Sequence, residues 1–148
     1  MSNARLHVPV DDDYLHALGM ATFVFARLEW QAVWCCERIK PGFARNVVAK
    51  KMTAGKIGKK FKNVVRSMPR SKGREELEVA AARFCELVEE RNAIMHGKPC
   101  TGPNGKQRLS RNQIVEIPDL EDVADAFAEC GSELNNLYYG FLKQYASK

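Results

Sequence analysis

The sequence predicts an all-α protein: a four-to-five-helix up-and-down bundle with a short irregular or β-hairpin insertion before the last helix. Three observations lead there. Apolar residues recur at three- and four-residue steps through four long segments, the period of an amphipathic helix. Turn-forming pairs, Pro41-Gly42 and Gly97 with Pro99, stand where that periodicity stops. Only the stretch from Lys98 to Pro118 lacks the pattern, and no segment reads as a core strand. A chain of 148 residues suits one domain, residues 1–148, with a single sizeable core.

The first helix is expected from Asp11 to Ile39. Asp11, Asp12 and Asp13 place negative charge at the positive end of its dipole and offer a cap. Its stripe is Leu15, Leu18, Thr22, Phe25, Leu28, Ala32, Cys36 and Ile39, and its length is about 40 Å at 1.5 Å per residue. The second helix runs from Ala54 to Met68 behind a Thr53 cap, with Ile57, Phe61, Val64, Val65 and Met68 on one narrow face. The third spans Ser71 to Met95 and buries Leu77, Ala80, Ala81, Phe84, Leu87 and Val88. After it, TGPNGK carries turn chemistry compatible with a small hairpin around Pro103 to Gly105 or with a mobile basic loop. The fourth helix begins at an Asp119 cap and carries Leu120, Val123, Phe127, Leu134, Leu137, Tyr138 and Phe141 to the C-terminus. Gly131 falls on its buried side, where a missing side chain lets another helix approach closely.

The net charge of +5 conceals an asymmetry. Between Arg38 and Arg74 stand thirteen Lys or Arg and no acid, and the rest of the chain carries ten basic against eighteen acidic residues, a net −8. Such a block is a footprint for phosphates or another acidic partner, or else a solvated helix face balanced by the acidic remainder. The five cysteines contain no CxxC and mostly fall in apolar helical segments, which suits reduced core residues of a cytosolic protein. His96 and Cys100 alone make too few ligands for a metal. The N-terminus has no long apolar region of an export signal, and no run approaches a membrane span.

Two charges break the apolar stripes. With Phe84 at 0° and 100° per residue, Arg91 falls at about −20°, between Leu77 and Leu87. With Phe25 at 0°, Glu29 falls at about +40° on the first helix. Each is costly inside a stripe unless paired, so the two are expected to approach one another, directly or through water. The bland readings are a Glu29–Arg91 bridge that fixes helix register, or an Arg91 whose stem crosses the core to put its head in water. His96 lies five residues beyond Arg91, off its face, but Gly97 lets the chain unwind so that the imidazole can swing toward it. With the Asn92 amide beside them, a guanidinium and an imidazole can bind a phosphodiester and move a proton.

RNAIMH, Arg91 to His96, resembles the R-polar-x3-H signature of HEPN domains (higher eukaryote and prokaryote nucleotide-binding). The placement is similar too: the motif ends a core helix and is followed by glycine, an irregular segment and a last long helix. FARLEW, Phe25 to Trp30, is similar to the first helix of small bacterial members, with an acid in the apolar stripe. The resemblance implies a helical bundle that dimerises and brings two motifs into a shared cleft. Many members are metal-independent endoribonucleases of toxin–antitoxin, abortive-infection or CRISPR-linked systems, and others are inactive binding modules.

Carried onto this chain, Arg91 would hold and neutralise the scissile phosphate, His96 would move a proton at the ribose 2′-hydroxyl or the leaving oxygen, and Asn92 would orient the pair or contact phosphate. Glu29 would orient Arg91. The implied product is a 2′,3′-cyclic phosphate, with no metal or other cofactor. Lys56, Lys59, Lys60, Lys62 and Arg66 are expected to track an RNA backbone, and Lys98, Lys106, Arg108 and Arg111 to add charge beside the motif.

The expected partners are RNA, a second copy of the chain and a cognate antitoxin protein, in the cytoplasm and away from membranes. The dimer is expected to bury the motif end of the third helix and part of the fourth, with Tyr138, Tyr139 and Trp34 left partly exposed by the bundle alone. The alternative is a catalytically silent HEPN-like module that binds nucleic acid, nucleotide or protein. A purely structural role predicts Arg91 fully paired with Glu29 and His96 turned to solvent.

Overall fold

In a computed structural model, residues 8–146 are described. Helix α1 (Asp12–Ile39) is followed by a short α2 (Phe43–Ala49), then α3 (Ala54–Arg66) and α4 (Lys72–Met95). Strands β1 (Lys98–Thr101), β2 (Gln107–Ser110) and β3 (Ile114–Val115) form a small antiparallel sheet in that order. Helices α5 (Ile117–Tyr139) and α6 (Phe141–Ala146) complete a mostly helical bundle. The readings of the export signal and of the last helix's final turn fall partly on residues outside those described.

The stripes of α3 and α4 are buried as expected: Ile57, Phe61, Val65 and Met68 from one, and Leu77, Ala81, Phe84 and Leu87 from the other, are at most 3% exposed. Both helices carry local caps. The Thr53 hydroxyl accepts from the Lys56 N–H at 3.3 Å, and the Ser71 hydroxyl from Arg74 N–H at 3.1 Å. Gly131 is buried beside the Gln31 side chain of α1, the close helix approach its sequence position implied.

Five details differ from the sequence reading. The N-terminal half of α1 buries Tyr14, Ala17 and Ala21 rather than Leu15, Leu18 and Thr22. There the helix faces the sheet and α5, and Tyr14 and Ala17 join Ile94, Val115 and Leu120 in a second apolar cluster. Asp11 makes no cap hydrogen bond, because its carboxylate is taken by Arg108. The Pro41-Gly42 break is followed at once by α2, whose first amides are capped by the Glu37 carboxylate: Gly42 N–H donates at 2.7 Å and Ala44 N–H at 2.9 Å. Helix α5 starts two residues before the expected Asp119, since Glu116 and Asp119 form a reciprocal capping box around Pro118. At its other end the helix breaks at Gly140, so Phe141 belongs to α6.

The segment after α4 is a hairpin plus a third strand rather than a loose loop. Lys98 pairs with Ser110 and Thr101 with Gln107, and the turn is closed by the Gly102 N–H donating to the Lys106 carbonyl at 2.8 Å. Gly105 supplies the left-handed residue, at φ +73°. Tyr14 fastens this sheet to the bundle: its hydroxyl donates to the Val115 carbonyl at 2.8 Å and accepts from the Leu109 N–H at 3.0 Å. The Arg108 guanidinium lies 4.3 Å above the same ring.

Tyr14→Phe leaves the Leu109 N–H and the Val115 carbonyl without that partner, so it is expected to cost about 1–3 kcal/mol. Urea denaturation checks this, and amide exchange at Leu109 should accelerate in the variant.

Candidate functional site

Helix α4 ends where the His96 N–H donates to the Asn92 carbonyl and the Gly97 N–H to the Ile94 carbonyl. The chain then turns directly into β1. A Cβ at residue 97 would meet the Ile94 carbonyl oxygen at 3.0 Å and the Leu109 Cβ at 3.3 Å, so a side chain there would push its neighbours back by a few tenths of an ångström. The tight exit sets Arg91 and Asn92 on the last regular turns of α4 and His96 at its cap.

Arg91 is half-buried, with its guanidinium carbon 5.1 Å from the centroid of the buried Phe25 ring, within range of a cation–π attraction. One Nη donates to the Asn92 side-chain oxygen at 3.0 Å. Glu29 is half-buried nearby. Burial raises the pKa of its carboxyl above the ordinary value, and the Arg91 charge opposes that rise without cancelling it. Among the described residues no ion pair joins the two. The stripe-breaking charges therefore do approach, but Arg91 rests on an aromatic face and an amide rather than in a bridge.

His96 is exposed, and among the described residues its side chain has no hydrogen bond or ion pair. Within one chain no hydrogen bond joins it to Arg91. The solvent-facing histidine matches a structural role for the motif, whereas the unbridged Arg91 does not.

Lys56, Lys59 and Lys62 fall on the flank of α3 that faces α4. Thr53, Gly55, Lys56, Gly58, Lys59 and Lys62 line a groove of about 630 Å³ with Cys85, Val88 and Glu89. An adjoining hollow of about 350 Å³ is lined by Lys62, Arg66 and Arg74. Gly58 keeps the groove floor low, since a Cβ there would sit 2.9 Å from the Cys85 sulfur. Asn92 follows Val88 by four residues, so the groove opens one helical turn short of the motif. Lys60 lies on the other flank of α3 and lines neither hollow, while Lys98 is exposed on β1.

Two of the charges expected beside the motif are engaged elsewhere. Arg108 is held by Asp11, with Glu116 at 3.8 Å, and its side chain is 9% exposed. Arg111 pairs with Glu90 at 2.9 Å. Both partners are distant in sequence, which a local reading does not reveal. Burial keeps the Cys35 and Cys130 thiols protonated at neutral pH, pushing both up to about 12, so neither serves as a nucleophile. Among the described residues no group of three or more His, Cys, Asp or Glu side chains is placed to hold a metal ion, and no helix is long and apolar enough to cross a membrane.

No protein-family model, curated protein or solved structure matches this chain in comparisons of sequence and fold. The site therefore stands on its own geometry.

The pKa shift of Glu29 gives a stability test. A carboxyl raised in the folded state favours the fold below its ordinary pKa range and loses that contribution as pH rises through the raised value. Glu29→Gln is thus expected to melt above the wild type at neutral pH and to converge with it at about pH 4 and below. Thermal denaturation across that range checks the sign.

Proposed function

We propose that this protein is a metal-independent endoribonuclease of HEPN type, acting as a dimer. The observation that carries the reading is a guanidinium fixed on Phe25 and Asn92 at the end of α4, one turn from a lysine-lined groove and five residues from an unengaged imidazole. On this reading Lys56, Lys59, Lys62 and Arg66 hold successive phosphates, with Lys60 and Lys98 adding charge at the margins. Contacts of that kind give affinity without base choice.

Arg91 binds the scissile phosphate and neutralises the charge that builds on its oxygens. The ribose 2′-oxygen attacks phosphorus as the P–O5′ bond breaks. One proton leaves the 2′-hydroxyl and one is delivered to the departing 5′-oxygen, and His96 performs one of these transfers. The products are a 2′,3′-cyclic phosphate and a 5′-hydroxyl. Because RNA supplies its own nucleophile, the reaction calls for no metal-bound water. Asn92 holds the guanidinium in place, and Glu29 supports it electrostatically. A cytoplasmic toxin or defence component controlled by an antitoxin protein fits this chemistry.

One observation favours a second reading. His96 makes no hydrogen bond to Arg91 within the chain, as would suit a silent module that binds nucleic acid, nucleotide or protein through the same groove.

Cleavage of total cellular RNA in EDTA separates the two. The nuclease reading expects cyclic phosphate ends from the wild type and a loss of about 100-fold or more in Arg91→Ala and in His96→Ala. Matched circular dichroism spectra show whether the variants are folded, and His96, being exposed, is the safer substitution. An inactive wild type, or equal cleavage by all three, moves the assignment to the binding module.

A further inference from the structure

The C-terminal ends of α1 and α5 leave a hollow of about 280 Å³, lined by Gln31, Trp34, Leu134, Asn135, Tyr138 and Tyr139. Leu134 beneath it is fully buried, but Trp34 is 47% exposed and Tyr139 64%, although rings of this size usually bury much of their surface. Tyr138 and Tyr139 meet nearly at right angles, with centroids 4.9 Å apart, and so form a corner. None of the lining residues is charged.

Gln31 and Asn135 each bring a carboxamide to this hollow. Neither side chain makes a hydrogen bond among the described residues. Gln31 is half-buried, its amide laid where Gly131 of α5 has no side chain, so that a Cβ at residue 131 would strike the amide oxygen. Among the described residues no side-chain nitrogen or oxygen is both buried and unpartnered, so this amide is reached from outside. An amide in that position gains from a ligand edge that offers a donor and an acceptor together.

Arg38, one turn beyond Trp34, stands beside two of the lining rings. Its guanidinium carbon lies 3.6 Å from the Tyr138 centroid and 6.0 Å from that of Tyr139, and one Nη donates to the Tyr138 carbonyl. That anchor holds the cation in place and leaves most of its donors for an anion. Glu37, the next acid along α1, does not neutralise it, because its carboxylate accepts from the Gly42 and Ala44 N–H groups.

We propose that this hollow binds a nucleotide, with the base stacked on Trp34 and Tyr139, its edge on the two amides and its phosphate on Arg38. Exposed ring faces take any base, and the donor and acceptor of a Gln or Asn amide match adenine at N6 and N7. The rings would also form a cage for an ammonium ion. Arg38 already covers Tyr138, however, and no carboxylate lines the hollow, so a second cation is repelled. The volume is just below that of drug-sized pockets, which suits a single base.

The site is separate from Arg91 and from the lysine groove. Trp34 lies about 180° round α1 from Phe25 at 100° per residue, whereas Arg91 rests over Phe25. Ile94, beside the motif, packs with Tyr14 and Leu120 at the starts of α1 and α5, so the hollow is at the other end of the bundle. A dimer formed around His96 leaves it open, and the proposal does not depend on cleavage.

Isothermal titration calorimetry tests it with AMP, adenosine, ribose 5-phosphate and a 2′-O-methyl oligoadenylate. The wild type is expected to bind AMP with a dissociation constant of about 1 mM or below, and Trp34→Leu at least tenfold more weakly. Trp34 is exposed, so this variant keeps its fold, which circular dichroism checks. Loss confined to the oligoadenylate assigns the hollow to a base within a strand, and loss with AMP to a free nucleotide. Arg38→Gln is expected to lose the preference for AMP over adenosine, and a retained preference overturns the role given to Arg38. Binding of neither AMP nor the oligoadenylate, equal binding by Trp34→Leu, or ribose 5-phosphate bound as well as AMP overturns the site. No cleavage is read, so failure here is distinct from failure of the nuclease assignment.

Discussion

Four phenylalanines, one from each of the four long helices, meet in the middle of the bundle. Phe25 of α1 stacks on Phe84 of α4 with centroids 6.4 Å apart, and Phe127 of α5 meets Phe25 edge-on at 5.1 Å. Phe61 of α3 leans on Phe84 at 6.4 Å. All four are at most 3% exposed. Each ring pair adds about 0.5–1.5 kcal/mol beyond burial. Their larger consequence is geometric, because rings of this size admit few arrangements and so fix how the helices sit. Arg91 depends on that arrangement directly, its guanidinium lying over Phe25.

This explains how a charge persists in an apolar stripe. A guanidinium is weakly hydrated, and an aromatic face with an amide oxygen offsets much of what it loses in leaving water. Glu29 receives no comparable compensation, and its raised pKa records the difference. The outcome is a cation held in a defined position with part of its surface open. On the proposed reading that cation awaits a phosphate. The basic flank of α3 extends the same field, while four acidic residues elsewhere are engaged by arginines: Glu78 by Arg74, Glu86 by Arg83, Asp11 by Arg108 and Glu90 by Arg111.

The sequence was most legible where the determinants are local. The α3 and α4 stripes, the Thr53 cap, the turn at Gly105 and the close approach at Gly131 all follow from periodicity or from one residue's stereochemistry. Helix α2 was missed because seven residues carry too few repeats to show a period, and β3 because two residues show no alternation. The N-terminal face of α1 was misread because small Ala17 and Ala21 are buried by the sheet and α5, while larger Leu15 and Leu18 remain half-covered. For the site, helical angles brought Arg91 toward the first helix, but could not choose between the Glu29 carboxylate and the Phe25 ring. Arg108 was read as free charge because its partner Asp11 is 97 residues away in sequence.

On the proposed reading, the end of α4 cleaves RNA through the substrate's own 2′-hydroxyl. Comparing a short RNA with its 2′-O-methyl counterpart, both shown to bind, tests it most directly. On that reading the RNA is cut and the methylated strand is bound but left intact. Cleavage of both would contradict the proposed nucleophile, and binding of both without cleavage would leave Arg91 and His96 as parts of a binding surface alone.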